Sequence, residues 1–330
     1  MARRLAEVAK HVGVSQATVS RVLNGKPGIS DATRAAVLSA LDVLGYERPA
    51  KLRGERARLI GLFLPEMQNP IFPAFAEEIA GALAKRGFSP VLCPRTADAV
   101  SEADYLALLL DQEVSGIILT SGDYQRTTAN HEHYALLRDR SMPTVLINAA
   151  VAGLDLPQVS TDEDHAVEQA YGHLAALGHD RIGIVVGPSD HVPSARKLAA
   201  YRRLRAGAPD HVAHAGFSME EGHAAAHGLL ASGVTGLVCG SDALALGAVR
   251  AARRLGLQVP RDVSVIGFDD STLMTYTDPP LTTVRQPVTA MGQAAVALLL
   301  RQIDGEQLAG DELLFEPELV VRGTTGAAPA

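Results

Sequence analysis

The chain has 330 residues, 47% of them hydrophobic and 20% charged, and its formal net charge is −7. This length and composition predict a globular protein of two or three domains and exclude a disordered chain. No apolar run is long enough to span a bilayer, and the first residues lead into a predicted helix without a signal-peptide core, so we expect a cytoplasmic protein. Cys93 and Cys239 lie far apart in apolar segments and are expected to be buried free thiols.

The charge is unevenly distributed along the chain. Residues 1–58 carry eleven Lys and Arg against five Asp and Glu, a net charge of +6, which leaves −13 for the remaining residues. A basic head on an acidic body favours binding of the head to a nucleic-acid backbone. A solvated charged surface is the alternative.

The first 24 residues predict two short helices joined by a tight turn. One face of the first helix is apolar at helical spacing, at Leu5, Val8, Ala9 and Val12. Gly13 ends this helix, and Ser15 can cap the next one by accepting a hydrogen bond from a free backbone N–H. Val19, Val22 and Leu23 would then pack on the first helix. This pattern is typical of a helix-turn-helix, although other short helical hairpins share it.

The outward side chains of the second helix match groups on base edges. Gln16 suits adenine, Arg21 suits guanine, and the methyl group of Ala17 suits that of thymine. A third helix after Ser30 would close a headpiece over residues 1–46. Contacts with the DNA backbone or minor groove are expected near helix ends, where hydroxyl groups can also act only as caps. These positions are Leu5, Ser15, Thr18, Asn24, Ser30 and Thr33.

Two further regions follow the headpiece. Residues 47–58 are polar and basic and contain Pro49 and Gly54, which is the composition of a linker. From residue 59, short apolar runs alternate with helical segments, as in parallel sheets covered by helices. The runs lie at 60–64, 90–93, 116–119, 144–147, 182–186, 236–239 and 263–268. Residues 59–330 are therefore predicted to form an α/β core of two lobes.

A ligand cleft is expected between the two lobes, because ligands of such sheets bind beyond the carboxyl ends of the strands. The residues that follow the predicted strands offer carboxylates, amides and hydroxyls, which suit a polyhydroxylated ligand. They include Asn69, Ser121, Asn148, Lys197, Ser241, Asp242 and Asp269. The chain has no tryptophan, so ring stacking on a sugar would need Phe72, Tyr124, Tyr201 or Tyr276.

Several features suggest enzyme chemistry but do not support it. His131 and His133 are two residues apart, and positions i and i+2 of a helix face different ways, so a metal site is not expected there. His223 and His227 share a helix face but lack the Glu of a zinc-protease motif. Asp269 and the carboxylate after it could act as acid and base, but they bind hydroxyl groups equally well. We expect no catalysis, no metal and no cofactor.

Motifs in both regions resemble those of the LacI/GalR family of transcriptional regulators. In the head they are Leu5–Ala9, Gly13–Ser15, Thr18–Gly25 and Leu44–Tyr46. In the body they are Asn69–Phe72, Leu177–His179, Ser241–Gly247, Gly267–Asp270 and Pro280–Pro287. The resemblance implies an all-α helix-turn-helix headpiece and a two-lobed, periplasmic-binding-protein-like core with parallel sheets. It also implies a nucleoid-associated homodimer that represses at a pseudo-palindromic operator, with a sugar as effector.

The resemblance also implies how the core is divided and where the effector binds. The first lobe would comprise about 59–157 and 288–316, and the second about 158–287 and 317–325. Matches to the family's effector-contacting positions are Phe72, Asn148, Ser241, Asp242, Asp269 and Gln286. Further expected effector-binding residues are Asn69, Ser121, Lys197, Tyr201 and Tyr276. The family usually has Arg four residues before an aromatic residue, where this chain has Lys197, so a point charge replaces a bidentate group.

In the family the linker holds a hinge helix that inserts a leucine into the minor groove. The linker here is shorter than usual, and Leu52 is either that leucine or a residue that docks on the body. Within the family the chain resembles maltose and maltodextrin operon repressors of high-GC Gram-positive bacteria, which implies an α-glucoside or another sugar as effector. A sugar-binding transport protein is the less favoured alternative. The tail from Gly323 to Ala330 is expected to be disordered and carries no leucine heptad, which favours a dimer over a tetramer.

Overall fold

The computed structural model describes residues 2–23, 28–43, 58–95, 100–205, 207 and 209–329. They belong to two compact units, residues 1–58 and 59–330, each of which is described by itself. Asn24, the Leu44–Tyr46 motif and most of the linker with Leu52 lie outside the described residues, as does the side chain of Leu5. Across the part of the chain that is described, no helix is both long and apolar enough to cross a membrane.

The first unit contains the three predicted helices, α1 (Ala2–Val12), α2 (Gln16–Leu23) and α3 (Asp31–Val43). Gly13 has a φ of +73°, which glycine adopts without strain, and this permits the tight turn between α1 and α2. The expected cap is present, because Oγ of Ser15 accepts from N–H of Thr18 at 3.1 Å. Four fully buried valines from the three helices form the core, namely Val8, Val19, Val22 and Val37.

The second unit alternates strands and helices. In chain order its elements are β1 (Arg58–Leu64), α4 (Ile71–Ala84), β2 (Phe88–Pro94), α5 (Glu102–Asp111), β3 (Gly116–Leu119), α6 (Glu132–Asp139), β4 (Thr144–Ile147), β5 (Gln158–Thr161), α7 (Glu163–Ala176), β6 (Ile182–Val186), α8 (Val192–Leu204), β7 (Val212–His214), α9 (Met219–Ala231), β8 (Gly236–Cys239), α10 (Asp242–Arg254), β9 (Ser264–Asp269), β10 (Thr282–Arg285), α11 (Val288–Ile303), β11 (Glu312–Phe315) and β12 (Glu318–Val320). All seven strands predicted from apolar runs are present, within one or two residues of their expected ends.

The first lobe is built on a six-stranded sheet in the order β11-β5-β4-β3-β1-β2. The pairs β1–β3, β3–β4, β4–β5 and β5–β11 are parallel. Successive strand residues face opposite sides, so Leu62 packs with α4 and α11, whereas Phe63 packs with α5. Helices therefore cover both faces, as the near-continuous apolar strands predicted.

The second lobe repeats this architecture with the strand order β12-β10-β9-β8-β6-β7. Its neighbouring strands are parallel except β12, which runs antiparallel to β10. Val185 packs with α9 and α10 on one face, and Ile184 and Val186 pack with α7 and α8 on the other. The predicted pair of α/β lobes is thus confirmed.

The chain passes between the lobes three times, at Asp162, at Gln286–Pro287 and at Glu316–Pro317. The lobe boundary predicted between residues 157 and 158 is wrong by one strand. Gln158–Thr161 is β5, which pairs in parallel with β4 and β11 of the first lobe. The first lobe therefore extends to Thr161.

The C-terminal residues pack on the second lobe, so the expectation of a disordered tail from Gly323 is wrong. Thr324 is 1% exposed, and its Oγ1 donates to the carbonyl of Val265 at 2.6 Å and accepts from N–H of Thr282 at 2.9 Å. Further along, N–H of Ala328 donates to the carbonyl of Leu177 at 2.9 Å. Paired and buried polar groups of this kind hold the chain end in place.

Candidate functional site

A cavity lies between the two lobes of the second unit, at the carboxyl ends of their strands. It contains about 710 Å³ of space free of protein atoms, a volume that includes the solvent-open mouth. Eight residues expected from the sequence line it, namely Asn69, Phe72, Ser121, Asn148, Lys197, Ser241, Asp269 and Gln286. The fold therefore brings together polar side chains from both lobes that are far apart in the sequence.

Three expected effector-binding residues do not line this cavity. Tyr201 is fully buried in the core of the second lobe, and its hydroxyl donates to the carbonyl of Ile182 at 2.8 Å. The carboxylate of Asp242, the first residue of α10, accepts three hydrogen bonds of 2.6–2.9 Å from neighbouring groups of its own lobe. Tyr276 is 81% exposed on the surface of the second lobe. These three expectations are corrected, because Tyr201 and Asp242 are used by the fold and Tyr276 lies outside the cavity.

Asp269 is the most connected acidic group of the cavity wall. It is 5% exposed and ends β9 with a φ of +119°, a strained conformation for a residue with a side chain. Its Oδ1 accepts from Nε2 of Gln286 at 2.7 Å, and its Oδ2 accepts from Nδ2 of Asn69 at 3.4 Å. Burial, and then the nearby carboxylate of Asp242, raise the pKa of Asp269. A buried carboxyl group held in this way can exchange hydrogen bonds with ligand hydroxyls.

Asn148 presents an unsatisfied acceptor to the same cavity. It follows β4 and has a φ of +65°. Its Oδ1 is buried and has no hydrogen-bond partner among the described residues. A buried amide oxygen left unpaired costs about 1–3 kcal/mol, so a hydroxyl donor in the cavity would recover that free energy.

Lys197 is the positively charged residue of the wall. It lies on α8, is 6% exposed, and forms an ion pair with Oε2 of Glu163 in the first turn of α7. Its Nζ also lies 3.8 Å from the centroid of the Phe268 ring, a cation–π contact. Burial raises the pKa of Glu163, and the neighbouring Lys197 opposes that rise. The lysine is thus paired within the wall itself.

A buried network positions the loop that carries Ser121. The N–H of Tyr124 donates to the hydroxyl of Tyr134 at 2.8 Å, and that hydroxyl in turn donates to Glu102. The hydroxyl of Tyr124 donates to the carbonyl of Ile147 at 2.5 Å. Tyr124 is fully buried in this way, so it is not the stacking residue that the sequence suggested.

The head unit exposes the three residues that were expected to contact DNA bases. Val19 and Val22 of α2 are fully buried, whereas Gln16, Ala17 and Arg21 of the same helix are exposed. Apolar contacts with α1 and α3 therefore leave the predicted base-contacting residues together on one outer surface. The chemistry of that surface is a side-chain amide, a methyl group and a guanidinium on the first turns of a helix, which suits base edges in a major groove.

Possible metal-ligating side chains are dispersed over the described ranges. These residues contain no group of three or more His, Cys, Asp or Glu side chains that could hold a metal ion. His133 lies instead beside Glu102, at 3.5 Å. Cys93 and Cys239 are buried and free, as predicted.

Comparison with known proteins decides the family. The model of the bacterial regulatory proteins of the lacI family matches residues 4–49, and the periplasmic binding protein-like domain matches residues 171–325. The HTH-type transcriptional regulator reg1 of Streptomyces lividans is 50% identical, over 100% of this chain and 98% of the relative. The chain belongs to the LacI family of bacterial transcriptional regulators. MalR of Streptomyces coelicolor is 49% identical to this LacI-family chain over the same shares of both proteins.

Two solved structures of transcriptional regulators share the fold. The complex of the transcriptional regulator CelR with cellobiose has a TM-score of 0.73 and 32% identity, and the match covers 97% of this chain and 99% of that one. The lac repressor dimer bound to operator and the anti-inducer ONPF has a TM-score of 0.72 and 28% identity, with 97% and 98% covered. This LacI-family chain is therefore a DNA-binding transcriptional regulator and not an enzyme.

Sequence reasoning missed several wall residues of this LacI-family core. They include Glu66, Gln125, Glu163, Ser194, Phe217 and Phe268. Glu163 and Phe217 follow β5 and β7, two strands without an apolar run, so no strand end pointed to them. Phe268 is the last residue of the predicted strand at 263–268, whereas ligand-binding residues were expected beyond the strand ends. A rule that every short β-rich segment directly before a helix is a strand would have found Glu163 and Phe217.

Proposed function

We propose that this chain represses a carbohydrate-utilisation operon and is released from its operator by a sugar that binds in the interlobe cavity. Maltose, a maltodextrin or another α-glucoside is the first candidate, and a different sugar is the alternative. The observation that carries the proposal is the set of polar side chains of Asp269, Asn69 and Asn148 in the cavity wall. Together they offer both hydrogen-bond donors and acceptors, which suits sugar hydroxyls because these donate and accept. Phe72 in the same wall supplies a face for a sugar ring. The names of MalR and of the CelR–cellobiose complex support the choice of sugar.

The DNA-binding role rests on the exposed surface of α2. Gln16, Ala17 and Arg21 would contact base edges in the major groove. Contacts with the DNA backbone or minor groove are proposed for the hydroxyl-bearing residues near the starts of α2 and α3, and also for Leu5 and Asn24. The hydroxyl-bearing residues are Ser15, Thr18, Ser30 and Thr33. Leu52 of the linker remains the candidate for minor-groove insertion. We propose a cytoplasmic homodimer on a pseudo-palindromic site, since each headpiece reads one half-site.

The second lobe offers a surface that suits the proposed homodimer. Leu273 and Tyr276 lie on one short 3₁₀ helix, Thr272–Tyr276, and are 60% and 81% exposed. Exposed apolar side chains mark an interaction surface where they form a contiguous patch, and this short helix of 5 residues keeps the two side chains close together. Tyr276 is therefore proposed as an interface residue, in place of the stacking role expected from the sequence.

The proposed mechanism links cavity and crossings through hydrogen bonds. Gln286, which donates to Asp269, accepts from Oγ1 of Thr161 at 2.9 Å. Thr161 and Gln286 border two of the three crossings between the lobes. A sugar that competes for Asp269 would therefore change the angle between the lobes and, in the dimer, the spacing of the linkers. A coupling of about 1–3 kcal/mol between sugar and operator sites is sufficient, and it needs neither a metal nor a cofactor.

A gel-shift titration with sugar tests the proposal. The purified full-length chain should shift a pseudo-palindromic operator fragment selected from random DNA, and the matching sugar should release it. A thermal-shift screen over a sugar panel identifies that sugar, because a selective ligand stabilises the fold by mass action. Absence of any sequence-specific DNA binding would contradict the proposal and revive the transport-protein alternative.

A further inference from the structure

Two charged residues of the cavity wall neutralise each other. Lys197 and Glu163 are 6% and 4% exposed, form an ion pair, and both line the cavity. The ring of Phe268 covers another side of the ammonium group, with its centroid 3.8 Å from Nζ. The cation is therefore held against a carboxylate and an aromatic face.

The positive groups nearest to this pair are engaged elsewhere. Arg196, the residue before Lys197, donates to Glu312 of the first lobe at 2.8 and 3.0 Å. Burial, followed by the charges of Lys197 and Arg126, lowers the pKa of His191 to about 3, so its imidazole is neutral at pH 7. Among the described residues that line the cavity, Lys197 is the sole Lys or Arg.

Carboxyl groups outnumber this one cation in the wall. Glu66, Glu163 and Asp269 all line the cavity. A ligand anion transferred from water into such a site needs a cation to replace its hydration. With Lys197 paired to Glu163, the site offers an anion no such partner, and the carboxyl groups of Glu66 and Asp269 supply no positive charge. Uncharged hydroxyl groups have no such requirement and can bind the amides and hydroxyls of the wall.

We propose that Glu163 is a specificity-determining residue, which by pairing with Lys197 makes the cavity select uncharged carbohydrates and reject phosphorylated or carboxylated ones. The inference rests on the proposed function, because it concerns the sugar of the same cavity. In this role Glu163 controls which sugars bind. Without its carboxylate, the ammonium group of Lys197 would be able to pair with an anionic group of a ligand. The position of Lys197 in the wall then decides where the anionic group sits.

The test compares neutral sugars with their anionic derivatives. The panel contains glucose, maltose, maltotriose and cellobiose, each with its 6-phosphate or its aldonic acid. Dissociation constants are measured by calorimetry on the full-length wild type, on Glu163→Gln and on the double variant Glu163→Gln with Lys197→Met. The wild type should bind the neutral sugar of highest affinity more tightly than it binds the anionic derivative of that sugar. Glu163→Gln should shift that preference toward the anion by about tenfold or more, and the double variant should return it to the wild-type ratio.

Glu66→Gln is the matched control, because Glu66 is a wall carboxylate with no ion pair to a described residue. It should shift the preference less than Glu163→Gln if the pairing with Lys197 matters rather than the total charge. Equal shifts of the neutral-to-anionic preference in the two variants, or no shift in Glu163→Gln, would overturn the inference. In either case, binding of a neutral sugar by the wild type would still support the proposed function. Wild-type protein that binds no sugar of the panel would overturn both.

Glu163→Gln leaves a buried lysine unpaired, so its folding needs a separate readout. Melting temperatures in buffer compare it with the double variant, which buries neither charge. If Glu163→Gln melts early, the anionic sugars should raise its melting temperature more than they raise that of the wild type. Failure of every anion to do so would count against the inference as directly as an unchanged binding ratio.

Discussion

Arg126 of the first lobe donates from Nε and Nη2 to Oδ2 of Asp190 in the second lobe, at 3.1 and 2.8 Å. The same oxygen accepts from Oγ1 of Thr128 at 2.5 Å, and N–H of Thr127 donates to the carbonyl of Asp190 at 2.9 Å. We call these contacts the rim clasp, because Gln125 and His191, the sequence neighbours of its two sides, line the cavity. The hydrogen bond from Thr128, together with Arg126, lowers the pKa of Asp190, so the clasp contains a carboxylate at neutral pH.

The rim clasp should favour the closed arrangement of the lobes and so the binding of sugar. Asp190→Asn removes the charge-assisted contacts, and because Arg126 is 41% exposed the loss should be about 1 kcal/mol, or roughly a fivefold weaker affinity for sugar. Calorimetry on the full-length protein measures it. Asp123→Asn is the control, since Asp123 pairs with Arg95 within the first lobe at 3.3 Å. An equal effect of the two substitutions would show that the clasp does not act between the lobes.

Asp269→Ala should abolish release by sugar while leaving operator affinity unchanged. The carboxyl group bonds Gln286 and Asn69 in the cavity wall, whereas the head unit contains none of these residues. Gel-shift titrations with and without sugar separate the two effects. Asp262→Asn, which removes a carboxylate paired with Arg261 on the surface of the same lobe, should release normally. Normal release by Asp269→Ala would place the effector elsewhere.

Arg21→Ala should weaken operator binding by about 1–3 kcal/mol and relax the preference at one base pair. The reason is that Arg21 is exposed on α2, on the surface opposite the buried Val19 and Val22. Binding to a set of operators with single base-pair changes measures both effects. Lys10→Ala on α1 is the control and should leave the base preference unchanged. A uniform loss on all operators would identify Arg21 as a phosphate contact.

The stability of the protein should depend on pH through Asp242. Burial raises the pKa of this carboxyl from its ordinary value of 3.8 to about 6, although hydrogen bonds from Thr283 and Ser271 oppose the rise. Between those values the folded state binds more protons than the unfolded state, so the contribution of Asp242 to the free energy of unfolding falls as pH rises. The free energy of unfolding of the wild type, relative to that of Asp242→Asn, should therefore fall from pH 4 to pH 6. Above pH 6 the curves of the two proteins should run parallel.

Urea denaturation of the full-length protein at pH 4, 5, 6 and 7 measures this difference. Asp262→Asn is the control, because the hydrogen bond from Arg261 lowers the pKa of Asp262 below its ordinary value of 3.8. Its curve should therefore run nearly parallel to that of the wild type from pH 4 to pH 7. Curves for wild type and Asp242→Asn that run parallel over the whole range would contradict the prediction.

The strands that the sequence did not reveal have two physical causes. β7, β11 and β12 lie at sheet edges and are only three or four residues long, so none of them contains an apolar run of four residues. β5 and β10 lie inside the sheets but bury hydroxyls, such as those of Thr161 and Thr283, that hydrogen bond to neighbouring side chains. A buried threonine whose hydrogen-bond partner is distant in the chain cannot be distinguished from a surface threonine by its sequence neighbours.

Contacts between residues that are distant in the sequence also explain why Tyr201 and Asp242 were wrongly expected in the cavity. Lys197 and Tyr201 are one helical turn apart on α8, so their spacing predicts a shared face. In the structure Lys197 reaches the cavity, while the longer, rigid ring of Tyr201 lies in the core against Ile182. Asp242 and Asp269 likewise lie near the carboxyl ends of the neighbouring strands β8 and β9, yet only Asp269 lines the cavity.

The sequence by itself determined the three helices of the head, the outward position of Gln16, Ala17 and Arg21, the alternation of strands and helices, and most strand ends that form the cavity. These features depend on periodicity, capping and turn residues, which act over a few neighbouring positions. Tertiary structure alone decided that Glu163 neutralises Lys197 and that Arg126 meets Asp190 across the lobes. Such pairings join residues from separate elements, and their strength comes from burial and distance, which no local pattern encodes.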